Sequence, residues 1–281
     1  MTNLKLIAGV ALLLVIVLAS VAGPTISRLY FPNDTPLRIS EYPAMQKPSA
    51  QHPMGTDMFG RDALAVFLHA MGLSLAIGLV AGLTGTVVGV TIGCVSAYVG
   101  GPTDTLTRVL TDMFLVLPTL PILLVLSLYI SRWNVITMGL LLGSLSWPFV
   151  ARTLRAQVLS LRERPFMDLA RLNCESVAEI VFEELMPSLM PYIFLSMSSA
   201  VVVAILSEVG LQFIGIGAAG LPTIGYMLTM GFGSGALSIG LGAQLIWPSL
   251  FLIGIFLSLN LINLGLEERF NPRLQRLARE N

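Results

Sequence analysis

From Met71 to Val99 the chain runs without one Asp, Glu, Lys or Arg. At about 1.5 Å of rise per residue, a helix of that length outlasts the ~30 Å hydrocarbon core of a bilayer. Lipid offers the backbone no hydrogen-bond partners, so such a run has to be a helix that satisfies its own N–H and C=O groups. Comparable runs recur at Leu4–Gly23, from beyond Asp112 to about Ile130, at Val135–Val150, Pro191–Ile214 and Ala243–Leu264, which predicts six transmembrane helices. Only 11% of residues are charged and mean hydropathy is +0.82, where a soluble domain carries roughly a quarter charged residues. An all-α, multi-pass membrane protein is expected, seated in a lipid bilayer and with no nucleic acid as partner.

The first run can be read in two ways. Lys5 ahead of it and small residues behind it fit a cleaved leader, but its apolar length exceeds the roughly 7–15 residues of a leader core, which favours a retained helix. Six spans put both termini on one side. Lys5, Arg108, Arg152, Arg155, Arg162, Arg164, Arg171, Arg269, Arg273, Arg276 and Arg279 then share that side against Arg28, Arg38, Lys47, Arg61 and Arg132, so the termini are expected in the cytosol.

Two regions are expected, 1–70 holding the first helix, an extracytoplasmic loop and a helix start, and 71–281 forming the transmembrane core. Pro24, Pro32, Pro36, Pro43, Pro48 and Pro53 should interrupt any helix in that loop. It closes on MGTDMFGRD, Met54 to Asp62, where Gly55 and Gly60 supply turn chemistry and Arg61 and Asp62 open a helix. In the second span Ala81, Gly85, Gly89, Gly93 and Ala97 recur at every fourth position, a flat ridge on which another helix can lie closely, with Gly78 and Gly82 as a second partial row. Asp104, Arg108 and Asp112 share one helical face and could pair along it. Pro118 and Pro121 should kink the third span, either beside a cavity or as plain packing features. Trp133 suits an interface. Gly215–Gly242 is too broken for an ordinary span and is expected to be a re-entrant or extracytoplasmic excursion.

Cys94 and Cys174 fall in an apolar run and in a polar segment, so no disulfide framework is expected. His52 and His69 are expected at surfaces or interfaces rather than in a metal site, and HExxH is absent.

The long polar segment Ala151–Pro191 stands apart, with five arginines and six acidic residues between apolar runs. Pro165 suits a first helical turn, with Phe166, Leu169, Ala170 and Leu172 as an apolar stripe. The pattern breaks at Asn173 and Cys174; Ser176 and Glu179 then form a capping box for a second short helix carrying Val177, Ile180 and Val181, which Pro187 and Pro191 should stop. Helix, break, helix and a terminal Met-Pro resemble the coupling loop of importer permeases, whose pattern is Glu-Ala-Ala, a Gly four residues after the last Ala, and Leu-Pro. Here those places hold Asp168, Leu169, Ala170, Cys174, Met186 and Pro187, so only Ala170 and Pro187 are identical. Without the loop glycine, Asn173 is the residue left to make the bend.

MGTDMFGRD, the Asp104/Arg108/Asp112 spacing with Pro118, the run Leu159–Phe166, and Glu208-Val-Gly-Leu-Gln-Phe-Ile-Gly-Ile-Gly217 extend the resemblance over nearly the whole chain. The chain resembles the C-type permease of the dipeptide, oligopeptide and nickel ATP-driven importers. The resemblance implies the six-helix permease fold of type I importers with a cytosolic coupling helix, in the inner (plasma) membrane of a prokaryote. It further implies a homologous B-type permease, two cytosolic ATPase subunits that hold ATP and Mg, and an extracytoplasmic solute-binding protein; this chain itself would bind no cofactor or metal and catalyse nothing. The ATPase-coupling residues would be Phe166, Asp168, Leu169, Ala170, Arg171, Asn173, Cys174, Ser176, Glu179, Glu183 and Pro187. An acidic second helix, with Glu183 and Glu184, either meets basic side chains of the ATPase or is a solvated face.

A phosphate-binding loop needs Gly-Lys before Ser or Thr, and neither Lys5 nor Lys47 follows a glycine, so nucleotide chemistry belongs to a partner. Glu208 and Gln212 are candidates for the translocation path; a helix-end hydrogen bond shaping the Gly-rich stretch is the plainer role for Glu208. Peptides are the cargo implied. Met186–Tyr192 and Pro222–Gly225 look similar to members that import oligosaccharides. A passive channel, or an intramembrane enzyme, for which neither GxSxG nor HExxH is present, are the readings from other classes.

Overall fold

The computed structural model describes residues 4–31, 37–130, 133–164, 167, 176–217 and 221–270. Those residues are helical and looped, with a single isolated β-bridge between Thr56 and Asp62. In chain order the helices are α1 (Leu4–Tyr30), α2 (Ala63–Val99), α3 (Gly101–Val116), α4 (Thr119–Ser127), α5 (Val135–Gly143), α6 (Trp147–Leu161), the single turn α7 (Val177–Glu179), a π-helical segment Ile180–Leu185, α8 (Met186–Phe213), α9 (Ile224–Gly233) and α10 (Ala243–Phe270). Four helices are long and apolar enough to cross a membrane; the pairs α3–α4, bent by 87°, and α5–α6, bent by 48°, bring the number to six if each pair is one span.

Helix α2 is the axis. Its 37 residues extend about 55 Å, and α1, α5, α6, α8 and α9 all pack on it. The ridge of small residues is why. A Cβ at Gly89 would stand 2.6 Å from Val150 Cβ, and one at Gly93 2.6 Å from the Ala151 carbonyl oxygen, so this row lies directly on α6. The second row faces elsewhere: a Cβ at Gly78 would meet Ile205 of α8 at 2.7 Å. Small side chains let backbones approach and raise the number of dispersion contacts, the main attraction available between helices in lipid.

Prolines break the expected pattern in two places. Pro24 does not end α1, which continues to Tyr30. An interior proline loses one hydrogen bond and crowds the carbonyl a turn back, and the packing of α1 on α2 and α10 holds the helix together across it; Gly23 beside it lies against the Leu68 carbonyl of α2. Pro187 and Pro191 do not stop the second short helix either: Pro187 sits in the first turn of α8 and Pro191 inside it. The Met186 N–H bonds the Val181 carbonyl, the wider i→i−5 register of a π-helix, which accommodates the proline ring without ending the helix. Pro118 behaves as expected. Leu117 before it is extended, with φ −70° and ψ 135°, and α3 turns sharply into α4 there.

The acidic ladder on α3 does not pair along its own helix. Asp104 takes a bidentate contact from Arg155 of α6 at 2.6 and 2.7 Å, and Asp112 meets Arg152 at 3.4 Å. Helix α6 runs on to Leu161, beyond the end expected for the fourth span, so the start of the polar segment is helical and offers both arginines to α3. Phe114 and Trp147 close the same seam edge to face, 5.6 Å apart.

Candidate functional site

The polar segment is two-faced where it is described. Ile180, Val181 and Leu185 are buried with Met167 against Val90, Cys94 and Ala97 of α2 and Val150, Leu154 and Val158 of α6. Opposite them Ser176, Val177, Glu179, Phe182, Glu183 and Pro187 are exposed, Phe182 to 52%. An exposed aromatic among carboxylates, backed by a packed apolar layer, is a surface shaped for contact. The capping box is present: Ser176 accepts from the Glu179 N–H, and Glu179 accepts from the Ser176 N–H at 2.6 Å. That backbone bond first, and the Ser176 hydroxyl second, hold the Glu179 carboxyl below the usual carboxylate range. Arg162 reaches back from the end of α6 to the Ala97 carbonyl, at 3.2 Å, tying the segment to the end of α2. Phe166, Asp168, Leu169, Ala170, Arg171, Asn173 and Cys174 lie outside the described residues.

A second polar assembly surrounds α9. Glu208 and Gln212 of α8 lie one turn apart and are buried, with Thr223 and Ser74. The Thr223 hydroxyl donates to Glu208 Oε1 at 2.6 Å, and Gln212 Nε2 donates to the same oxygen at 3.2 Å. Thr223 also accepts from the Tyr226 N–H, capping α9, while the Ile224 N–H donates to the Ser74 hydroxyl at 2.9 Å. The Glu208 carboxylate therefore sits at the positive end of α9.

Near the start of α2, the 54–62 turn is far more than a helix start. Asp62 caps α2 by accepting from the Ala65 N–H at 2.8 Å, and its other oxygen meets His52 Nδ1 at 2.8 Å. His52, expected at a surface or an interface, is thus buried beside Asp62. Asp57 binds Arg61 at 2.5 to 2.6 Å, and Arg61 donates on to the Tyr226 hydroxyl of α9 at 3.1 Å. Gln244 of α10 donates to the Thr56 carbonyl at 2.9 Å. Gly55 and Gly60 have positive φ, +73° and +70°, as the tight turn requires.

Residues 89–276 match the family of binding-protein-dependent transport system inner membrane components. The chain belongs to this family. The permease is 28% identical to the oligopeptide transport system permease protein OppC of Mycobacterium tuberculosis over 84% of its own length and 80% of that protein. It is 31% identical to a putative peptide permease protein of Brucella suis over 88% of its length and 80% of the relative. A putative peptide transport system permease protein of the same organism is 30% identical over 95% and 87%.

Of the residues the sequence singles out, the permease brings Ser176, Glu179, Glu183 and Pro187 to one surface, and Glu208 and Gln212 to one buried cluster. The two groups do not meet. The sequence marks Asp57 and Arg61 only as parts of a turn and a helix start and gives Tyr226 and Gln244 no role; these residues converge only through the fold. Thr223 ahead of the apolar run Ile224–Leu228 is a helix-cap signal that could have been used.

Proposed function

We propose that the permease forms half of the translocation path of an ATP-driven importer for di- or oligopeptides. The observation that carries this is its kinship, over most of its length, with proteins named oligopeptide and peptide permeases. In this reading it pairs with a homologous B-type permease, receives cargo from an extracytoplasmic solute-binding protein, and lies in the inner membrane of a prokaryote with both termini in the cytosol. Two ATPase subunits hold the ATP and Mg, and the permease itself catalyses nothing.

The lever is the polar segment. Phe166, Asp168, Leu169, Ala170, Arg171, Asn173 and Cys174, with the exposed Ser176, Glu179, Glu183 and Pro187, are the residues an ATPase cleft would grip. Support comes from the layer behind them: Ile180, Val181 and Leu185 are packed on α2 and α6, and a close-packed layer moves as a body, so a pull on the surface is passed to the spans. Glu208 and Gln212 belong to the wall of the path, behind α9.

Two experiments test the reading. The permease should co-purify with an ATPase subunit, and Asp168→Lys or Ala170→Trp should abolish that capture; an unaltered yield would remove the lever. Proteoliposomes of the full transporter should accumulate a labelled tripeptide on ATP addition. Accumulation of a labelled trisaccharide instead would move the cargo to oligosaccharides, the alternative favoured by the Met186–Tyr192 and Pro222–Gly225 patterns.

A further inference from the structure

Helix α9 has ten residues and rises only about 15 Å, half the depth of a bilayer core. Polar groups hold it at two points. At its first turn, Glu208 and Gln212 of α8 and Ser74 of α2 converge on Thr223 and on the backbone of Ile224. One turn on, the Tyr226 hydroxyl accepts from Arg61, whose guanidinium lies 5.3 Å from the Tyr226 ring and is fixed by Asp57.

Two features of the first seat stand out. Glu208 is 1% exposed, and its Oε2 has no hydrogen-bond partner among the described residues. That oxygen points at α9: a Cβ at Gly225 would stand 2.8 Å from it, so glycine is what lets the carboxylate approach the helix terminus. The groups facing the carboxyl are the Thr223 hydroxyl, the Gln212 amide and the first turn of α9; the Gln212 amide stays with it on α8, whereas the hydroxyl and the helix end face it only while α9 is in place. A contact of this kind is directional. It is made or lost as a unit, unlike the graded apolar contacts of Ile224, Met227 and Leu228.

We propose that Glu208 is a positioning residue of the import cycle, a carboxylate on α8 that seats the N-terminus of α9 at rest and releases it when the transporter turns over, with Arg61–Tyr226 as the hinge. This rests on the transporter reading given above. Seated, α9 walls the path; released, it swings about Tyr226.

The test uses nitroxide labels at Phe213→Cys and Phe232→Cys, exposed positions on α8 and α9 whose native rings stand 5.6 Å apart, with Cys94→Ala and Cys174→Ser. Dipolar broadening is read on the assembled transporter in lipid, at rest and trapped with ADP and vanadate. The spectrum should be broad at rest and narrow when trapped. Glu208→Gln keeps the shape and replaces the carboxyl by an amide, which puts a donor where Thr223 and the α9 terminus need an acceptor; it should shift the resting population toward the narrow component by about tenfold, the size of one buried hydrogen bond. Glu208→Ala should shift it further. Identical resting spectra for Glu208 and Glu208→Gln overturn the seat, and a resting shift without a change on trapping overturns the role in the cycle. A permease that captures no ATPase fails the transporter reading, while the resting comparison on the full chain still decides the seat.

Discussion

Gly93→Ala adds one methyl group where α2 meets the backbone of α6. The new Cβ would lie 2.6 Å from the Ala151 carbonyl oxygen and 2.9 Å from the Ala151 Cα, where ordinary contact begins at 3.4 Å. Both obstacles are backbone, so no rotamer relieves them and the helices must part by about 0.8 Å, the difference between those distances. Overpacking of this size is worth about 1–3 kcal/mol, against which alanine's better helix propensity returns at most about 1 kcal/mol. A net loss of up to about 2 kcal/mol, centred near ~1, follows. Gly89→Ala meets Val150 Cβ at 2.6 Å and should behave alike, and the double variant should lose less than the sum, since helices already parted accommodate the second methyl. Gly233→Ala, with nothing within 4 Å of its Cβ, is the control. Denaturant titration of the purified permease in mild detergent, followed by tryptophan fluorescence, measures all four. Gly93→Ala as stable as the parent, or no more harmful than Gly233→Ala, would refute the claim that backbone contact sets this interface.

Further outcomes are expected elsewhere. Asp104→Asn and Arg155→Gln should show a coupling of about 1 kcal/mol in a double-mutant cycle, because the pair is bidentate and shielded; zero coupling would mean that this pair adds nothing to the seam. Arg61→Met should cost about 2 kcal/mol in thermal unfolding by taking the guanidinium from Asp57 Oδ2, while the Phe59 and Arg61 N–H groups still hold Oδ1, and Asp57→Asn in the same chain should restore part of it. Glu179→Ala should speed amide exchange at the start of the 177–185 segment at pH 7. The folded Glu179 carboxyl is depressed, so its contribution is complete above the ordinary carboxylate value near ~4.3 and fades as pH falls through the folded value. A difference from the parent that survives in strong acid would contradict the capping box.

Much of this protein is legible in its residue order. Lipid leaves a long apolar run one choice, so the helices at α1, α2, α8 and α10 follow from residue type alone. The spacing of Gly85, Gly89 and Gly93 announced a close helix contact, and Ser176 with Glu179 announced a helix start, because both signals are local. Local signals also misled: Pro24, Pro187 and Pro191 were read as stops, yet a helix with packed neighbours and a π-helical register absorbs them. Only the tertiary structure paired Asp104 with Arg155, joined Arg61 to Tyr226, buried His52 on Asp62, and placed Glu208 at the end of α9. Those contacts link residues from 10 to 165 positions apart, and a polar side chain's partner is chosen by which helices the small-residue faces bring together, a choice that residue spacing along one helix does not contain.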